Sequence, residues 1–310
     1  MTAHGIHHVT AIAGPARRSR DFYVDLLGLR MVKRTVNFDD PTTYHFYYGD
    51  EAGNPGTIIT HFPWEHVAPG RLGNGETEET VLRVPEASLG YWMQRFLEKG
   101  ITHETPKKRF GETVLSFKDP DGMRLALAAL PGIEREAGWT GGGVPAEHAV
   151  RGIHGVSLLL DDDAATGAVL TDVLGFEQVG REDSLVRFRA PGTSIGGIVD
   201  IHAAPGFLPA RMGGGSVHHV AFRAADDAEQ AEMAEKLVRN HQIMVTEQKN
   251  RDYFRSVYFR APGGTIFEIA TDEPGFAVDE PAAELGTSLK LPRFLESRRA
   301  GIEAALPPLA

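Results

Sequence analysis

The sequence predicts an α+β fold: four copies of one β-α-β-β-β unit, curled in pairs into two cup-shaped antiparallel half-barrels. Three observations carry that prediction. A strand phrase built on histidine recurs, as GIHHVT at residues 5–10, GIHGVS at 152–157 and SVHHVAF at 216–222. A second phrase, FRAPG, stands at 188–192 and again at 259–263, and DPDG at 119–122 takes the matching place in the second unit. Around these marks, one strand-like run, one helix-like stretch and three further strand-like runs follow each other four times, and self-similarity at a fixed period signals a repeated unit.

Residues 6–11 open the first unit as a strand. Residues 16–27 place Phe22, Leu26 and Leu27 at helical spacing and stop at Gly28, a natural C-terminal cap. Strand-like runs at 30–36, 44–48 and 57–62 complete the unit, divided by turn residues such as the NPG at 54–56. The second unit runs from a strand at 80–84 through a helix at 86–99, with Leu89, Trp92, Met93, Phe96 and Leu97 on one face, to strands at 103–110, 113–118 and 123–129. The third has a strand at 153–160, a helix at 163–174 closed by Gly175, and strands near 176–179, 185–189 and 198–203. The fourth has a strand at 216–223, a helix at 226–240, and strands at 244–249, 253–260 and 265–271. A Gly/Pro-rich stretch at 131–145 reads as a linker, so the expected organisation is one domain at 1–130, a linker at 131–150 and a second domain at 151–272. The tail, 273–310, ends in a short amphipathic segment at 293–305 with Phe294, Ile302 and Leu306 as anchors.

Composition narrows the chemistry. A chain of 310 residues with 42% hydrophobic content buries a sizeable core. A net charge of -10 and a pI near 5.7 argue against nucleic acid or an anionic membrane as partner, since both need a basic face. The absence of cysteine removes disulfides, thiolate catalysis and cysteine-based metal sites, leaving histidine and carboxylates as the strong ligands. No stretch approaches the roughly 18 apolar residues of a membrane span, and residues 1–10 do not read as a secretory leader. A cytoplasmic protein with a small-molecule partner is expected; homo-oligomerisation is left open.

The paired histidines supply the candidate site. Alternation along a strand turns the two rings of a pair to opposite faces, so one of each faces the cup. The third unit keeps His154 in the first slot and has Gly155 in the second, which makes the second slot, His8 and His219, the candidate ligand position. Glu268 is the odd residue in the apolar last strand (GTIFEIA, 264–270), and a buried carboxylate without a partner is costly to keep charged. Two histidines and one carboxylate form the set typical of non-haem Fe(II) oxygenases, with Mn(II) the rival ion. Alignment of the last strands puts Thr60, Ala126 and Asp200 where Glu268 stands. One live cup from units one and four and one dead cup from units two and three follow. Pairing of units across a dimer is the competing geometry.

At 258–264 the run YFRAPGG, with Glu268 four residues on, resembles the Tyr-x-x-(Ala/Asp)-Pro-x-Gly-x3-Glu pattern of the vicinal oxygen chelate superfamily, and of its ring-cleaving extradiol dioxygenases in particular. In catechol-cleaving members that pattern begins with a histidine; here the place holds Arg251, which resembles the branch that opens hydroquinones. The resemblance implies Fe(II), a small aromatic diol and O2, with His7, Thr10, His218, Arg251 and Tyr258 around the metal as the catalytic set. Alternation turns His7 and His218 away from the metal, where they would orient a ligand from behind. Arg251 would stabilise negative charge and Tyr258 would donate a hydrogen bond. The alternatives are a catechol dioxygenase, a glyoxalase-like isomerase or lyase, for which Thr60 stands where a second carboxylate is usual, and a drug-sequestering protein without metal. His4, His45, His61, His66, His103, His148, His202 and His241 read as core or surface residues. Phe62 and Trp64 are candidates either for the pocket wall or for core or loop packing, and the acidic runs at 76–79 and 161–163 read as solvated faces or helix caps.

Overall fold

The computed structural model describes residues 4–309; residues 1–3 and 310, at the outer ends of the first expected domain and of the tail, lie outside it. The first unit is β1 (Ile6–Ala13), α1 (Ala16–Arg20), β2 (Arg30–Val36), β3 (Tyr44–Gly49) and β4 (Ile58–Pro63). The second is β5 (Glu76–Pro85), α2 (Leu89–Glu98), β6 (Lys107–Arg109), β7 (Glu112–Lys118) and β8 (Arg124–Leu130). The third is β9 (Ile153–Leu160), α3 (Ala164–Asp172), β10 (Glu177–Glu182), β11 (Leu185–Arg189) and β12 (Ile198–Ala203). The fourth is β13 (Val217–Ala224), α4 (Asp227–His241), β14 (Lys249–Asn250), β15 (Arg255–Arg260) and β16 (Ile266–Thr271), and the tail carries α5 (Arg299–Ala305).

Two eight-stranded sheets result, in the orders β14-β15-β16-β13-β1-β4-β3-β2 and β10-β11-β12-β9-β5-β8-β7-β6. Units one and four share the first sheet and units two and three the second. Neither half of the chain closes a sheet alone. The strands are mixed in direction, which corrects the expectation of antiparallel cups: first and last strands of a unit pair in parallel (β1 with β4, β13 with β16), and the rest pair antiparallel. A β-α-β-β-β order produces this: the helix returns the chain to start the second strand, at the sheet edge, in the direction of the first, and two antiparallel reversals then bring the last strand beside the first in that same direction. Each first strand follows a positive-φ glycine, Gly5 (84°), Gly75 (94°), Gly152 (93°) and Gly215 (83°), a conformation that a Cβ disfavours. One large apolar core draws on both sheets, with Ile6, Val220, Leu82, Trp92 and Phe222 buried in it. Among the described residues no helix is long and apolar enough to cross a membrane.

Several segments depart from the sequence expectation. The last strands before the hairpins of units two and four shorten to Lys107–Arg109 and Lys249–Asn250, and residues 21–26 continue α1 as a wide π turn. In the tail Ile302 and Leu306 are buried as anchors, but Phe294 is 64% exposed and its neighbour Leu295 is buried instead. The second unit's first strand begins at Glu76, four residues earlier than expected, and Glu76 and Glu79 are buried rather than solvated. Glu79 is tolerated there because Arg109 donates to it at 2.8 Å and Ser116 at 2.7 Å.

The register makes the second cup intelligible. Glu79 faces Ser157 as His8 faces Ala221, and Val81 faces Gly155 as Thr10 faces His219. The second cup therefore offers Glu79, Gly155 and Asp200 where the first offers His8, His219 and Glu268. Arg187 closes it: the guanidinium holds Asp200 with two hydrogen bonds (2.8 and 2.9 Å) and Glu112 with one (2.6 Å), and His154 lies 3.1 Å from the same Glu112 oxygen. A histidine cannot take the place of Gly155, because its Cβ would meet the carbonyl oxygen of Ile198 at 2.2 Å. Burial alone would push Glu112 up, but His154 and Arg187 outweigh it and pull the carboxyl down to about 2. A folded value below the unfolded one stabilises above about pH 4.5, and that contribution disappears as pH falls toward 2. After solvent screening it amounts to roughly 1–2 kcal/mol. Urea unfolding at pH 7 and pH 3 should show Glu112→Gln losing less stability on acidification than the wild type; an equal loss would refute this.

Candidate metal centre

β1 and β13 lie side by side at the middle of the first sheet and β16 flanks β13, so side chains from opposite ends of the chain meet at one place. His8, His219 and Glu268 each offer one donor atom there, and these atoms all lie within 4.8 Å of one another. Glu268 Oε2 is 2.9 Å from His219 Nε2 and 3.5 Å from His8 Nε2. All three residues are buried and come from one chain. Yet His219 Nε2 and Glu268 Oε2 make no hydrogen bond despite their approach. An orphaned buried polar atom costs about 1–3 kcal/mol, and a cation shared between the three would satisfy both at once. The donor set fits a 2-His-1-carboxylate ion.

The environment keeps the carboxylate ionised. Burial alone would push Glu268 up, but the imidazoles of His8 and His219 hold it well below the usual carboxylate range. Its second oxygen accepts from the buried Ser256 hydroxyl. Burial pulls His219 below its ordinary value, which keeps a ring nitrogen free to bind metal.

The first-slot histidines do not simply turn away, and this corrects the alternation argument. Each strand carries a β-bulge at the pair: the β1–β13 register shifts between Ile6 and His8 and again between Thr10 and Ala11, opposite His219 and Val217. The extra residue breaks the two-residue period and lets neighbouring side chains lean together. His7 Nδ1 thus lies 2.9 Å from His8 Nδ1, and His218 Nδ1 lies 2.8 Å from His219 Nδ1. Both pairs have the same ring geometry, 5.1 Å between centroids at 83°. Each first-slot ring therefore holds the back nitrogen of its neighbour and leaves the Nε2 aimed at Glu268. His218 also lines the cavity, whereas His7 sits against Phe254.

A cavity of about 140 Å³ opens over the three donors, close to the roughly 150 Å³ that accommodates a benzene ring. Its apolar walls are Phe38, Phe254 and the stacked pair Phe62 and Trp64 (6.3 Å, 26°), which decides between pocket wall and core packing for the last two. Arg251 reaches the cavity from a turn in which Asp252 takes a φ of 67°. Its Nε donates to Tyr258 Oη at 3.3 Å, and its Nη1 lies 3.8 Å from the exposed Asp39 carboxylate. Burial, then the Glu268 charge, pushes the Tyr258 phenol up, so it remains a proton donor. Thr10 lies in β1 opposite His219 and is fully buried.

His45 and Tyr47 also line the cavity, although the sequence offered His45 as an ordinary strand residue. The pairing reveals it: Tyr47 pairs with Thr60, the position aligned to Glu268, so His45 and Tyr47 of β3 face the same cup. His61 behaves as expected, buried with Nδ1 2.8 Å from Ser19 Oγ and its ring edge-on to Tyr23.

Comparison with known proteins gives a consistent neighbourhood. Residues 5–127 match the family model described as "Glyoxalase/Bleomycin resistance protein/Dioxygenase superfamily". A Bacillus subtilis (strain 168) protein named "Putative ring-cleaving dioxygenase MhqE" is 45% identical, with both chains covered in full (100% and 100%). The "Chlorohydroquinone/hydroquinone 1,2-dioxygenase" of Sphingobium indicum is 30% identical over 94% of this chain and 92% of its own. A solved structure of a "putative dioxygenase" from Bacillus subtilis superposes with a TM-score of 0.95 at 42% identity, covering 100% of this chain and 98% of that one.

Proposed function

The chain belongs to the glyoxalase/bleomycin resistance protein/dioxygenase superfamily, and from that premise we propose that it is a non-haem Fe(II) dioxygenase that opens a hydroquinone-type ring with O2. The observation that carries this reading is the convergence of His8, His219 and Glu268 beneath a cavity the size of one aromatic ring. The three residues would hold Fe(II). A ferrous ion there would supply the redox capacity that lets an aromatic diol react with O2.

The chain's own groups account for the rest. Arg251 places a guanidinium at the cavity wall, where it favours a substrate hydroxyl that has lost its proton. Tyr258, whose Oη accepts from Arg251 and so does not use its own proton in that contact, would donate to an oxygen in the cavity. The walls of Phe38, Phe62, Trp64 and Phe254 present apolar faces suited to a flat ring. Both oxygen atoms would enter the product, with cleavage between a hydroxyl-bearing carbon and its unhydroxylated neighbour, the extradiol sense. A glyoxalase-like isomerase is disfavoured because the buried residue at the fourth ligand position is Thr60, whose hydroxyl is committed to Thr10 at 2.9 Å.

Oxygen uptake by Fe(II)-loaded protein, with hydroquinone and catechol offered in parallel, tests the reading. Uptake with hydroquinone about tenfold or more above catechol is expected, since Arg251 stands where catechol-cleaving relatives carry a histidine. No uptake with either diol would remove the dioxygenase reading, and equal support by Mn(II) would remove the choice of iron.

A further inference from the structure

We propose that Tyr47, polarised by His45, is a specificity residue that accepts a hydrogen bond from a free hydroxyl of the substrate. The inference rests on the dioxygenase reading and deepens it: the pocket selects a ring whose second oxygen still carries its proton.

Two tyrosines occupy equivalent places in the cup. Tyr258 in β15 pairs with Glu268, and Tyr47 in β3 pairs with Thr60, the residue in Glu268's place in the first unit. Both line the cavity. Their hydrogen-bond partners differ in a decisive way. Tyr258 accepts from Arg251, a group with no acceptor, so that contact does not use the phenol's own proton.

Tyr47 ends a chain of buried contacts whose direction is fixed from the far end. Thr60 Oγ1 donates to Thr10 Oγ1 at 2.9 Å, which uses the only proton of the Thr60 hydroxyl. In the 2.8 Å contact between Thr60 Oγ1 and His45 Nε2, the imidazole must therefore be the donor. A neutral imidazole has one N–H, so His45 Nδ1 is bare. In the 3.0 Å contact at Nδ1 the Tyr47 hydroxyl is then the donor. Its single proton points into the wall, and only lone pairs face the cavity. Burial, with His8 and His219 nearby, keeps His45 neutral and the direction intact.

Two phenols of equal placement thus present opposite polarity, a donor at Tyr258 and an acceptor at Tyr47. A singly ionised para-diol, with one bare oxygen and one O–H, matches both. A methyl ether or a quinone has no proton for Tyr47. A site built to hydrogen-bond a hydroxyl discriminates strongly against the analogue that lacks it, because the buried group is left unpaired.

The test is anaerobic binding of hydroquinone and 4-methoxyphenol to the purified protein by calorimetry, with oxygen uptake measured alongside. Wild type should favour hydroquinone by about 10- to 100-fold. Tyr47→Phe should bring the ratio to within about threefold by weakening hydroquinone alone. His45→Phe keeps the bulk but frees the Tyr47 proton, so it should bind 4-methoxyphenol more tightly than wild type does. A ratio retained in Tyr47→Phe, or no gain for the ether in His45→Phe, overturns the inference while leaving hydroquinone-dependent oxygen uptake to support the dioxygenase reading. Wild-type protein that neither binds hydroquinone nor consumes oxygen with it overturns both.

Discussion

Glu268→Gln is expected to abolish metal binding and ring opening while leaving the metal-free fold standing. The amide keeps the volume of a fully buried side chain and the contact with Ser256, but it loses the charge that His8 and His219 face. Removing a group that merely supports a ligand costs 10–100-fold in metal affinity, so removing a ligand should cost at least about 100-fold. A divalent ion at about 100 times its Kd stabilises the wild type by roughly 2.7 kcal/mol, which should appear as a melting shift of about 4–8 °C. The variant should show no shift, and its metal-free form should melt below the metal-free wild type, because the charge that His8 and His219 hold ionised has been removed. Metal analysis with thermal melts in the presence and absence of Fe(II) decides it. Wild-type metal content in the variant would remove Glu268 from the site.

That variant addresses residues that could be read in the sequence, and the reason is physical. A strand phrase repeated three times with one variable slot separates what the strand needs from what the site needs, and Gly155 marks the difference. The pairing of units one and four followed, because His8 and Glu268 lie at opposite ends of the chain and one ion requires them together. The side-chain directions of His7 and His218 could not be read, since a bulge is a property of two strands in register and leaves no mark in one strand's composition. Glu79 was hidden for a similar reason: ETEET reads as solvated until Arg109 and Ser116 arrive from other strands. In YHFYY at 44–48 aromatic and polar residues fill both faces, so only pairing with Thr60 shows that His45 and Tyr47 look inward. Binary patterning fixes a strand's exposure only where one face is polar.

Arg251→Leu should lower kcat/KM for hydroquinone by about 100- to 1,000-fold, the usual cost of removing a group aimed at developing charge. Metal content should not change, because no donor atom is touched. The sign of the accompanying pH effect follows from the charge: a guanidinium beside the substrate oxygen favours its anion and lowers its pKa, so removing the cation raises it. The acidic limb of the kcat/KM profile should therefore move to higher pH by about one unit in the leucine variant. Arg251→Lys should restore the position of that limb but recover only part of the rate, since an ammonium cannot reproduce the Nε contact with Tyr258. Asp39→Ala should change kcat/KM by no more than about twofold, because that carboxylate is 76% exposed and 3.8 Å from the guanidinium. An acidic limb that stays in place in Arg251→Leu would mean that the guanidinium acts through Tyr258 alone, as a positioning residue rather than as the counter-charge to an ionised diol.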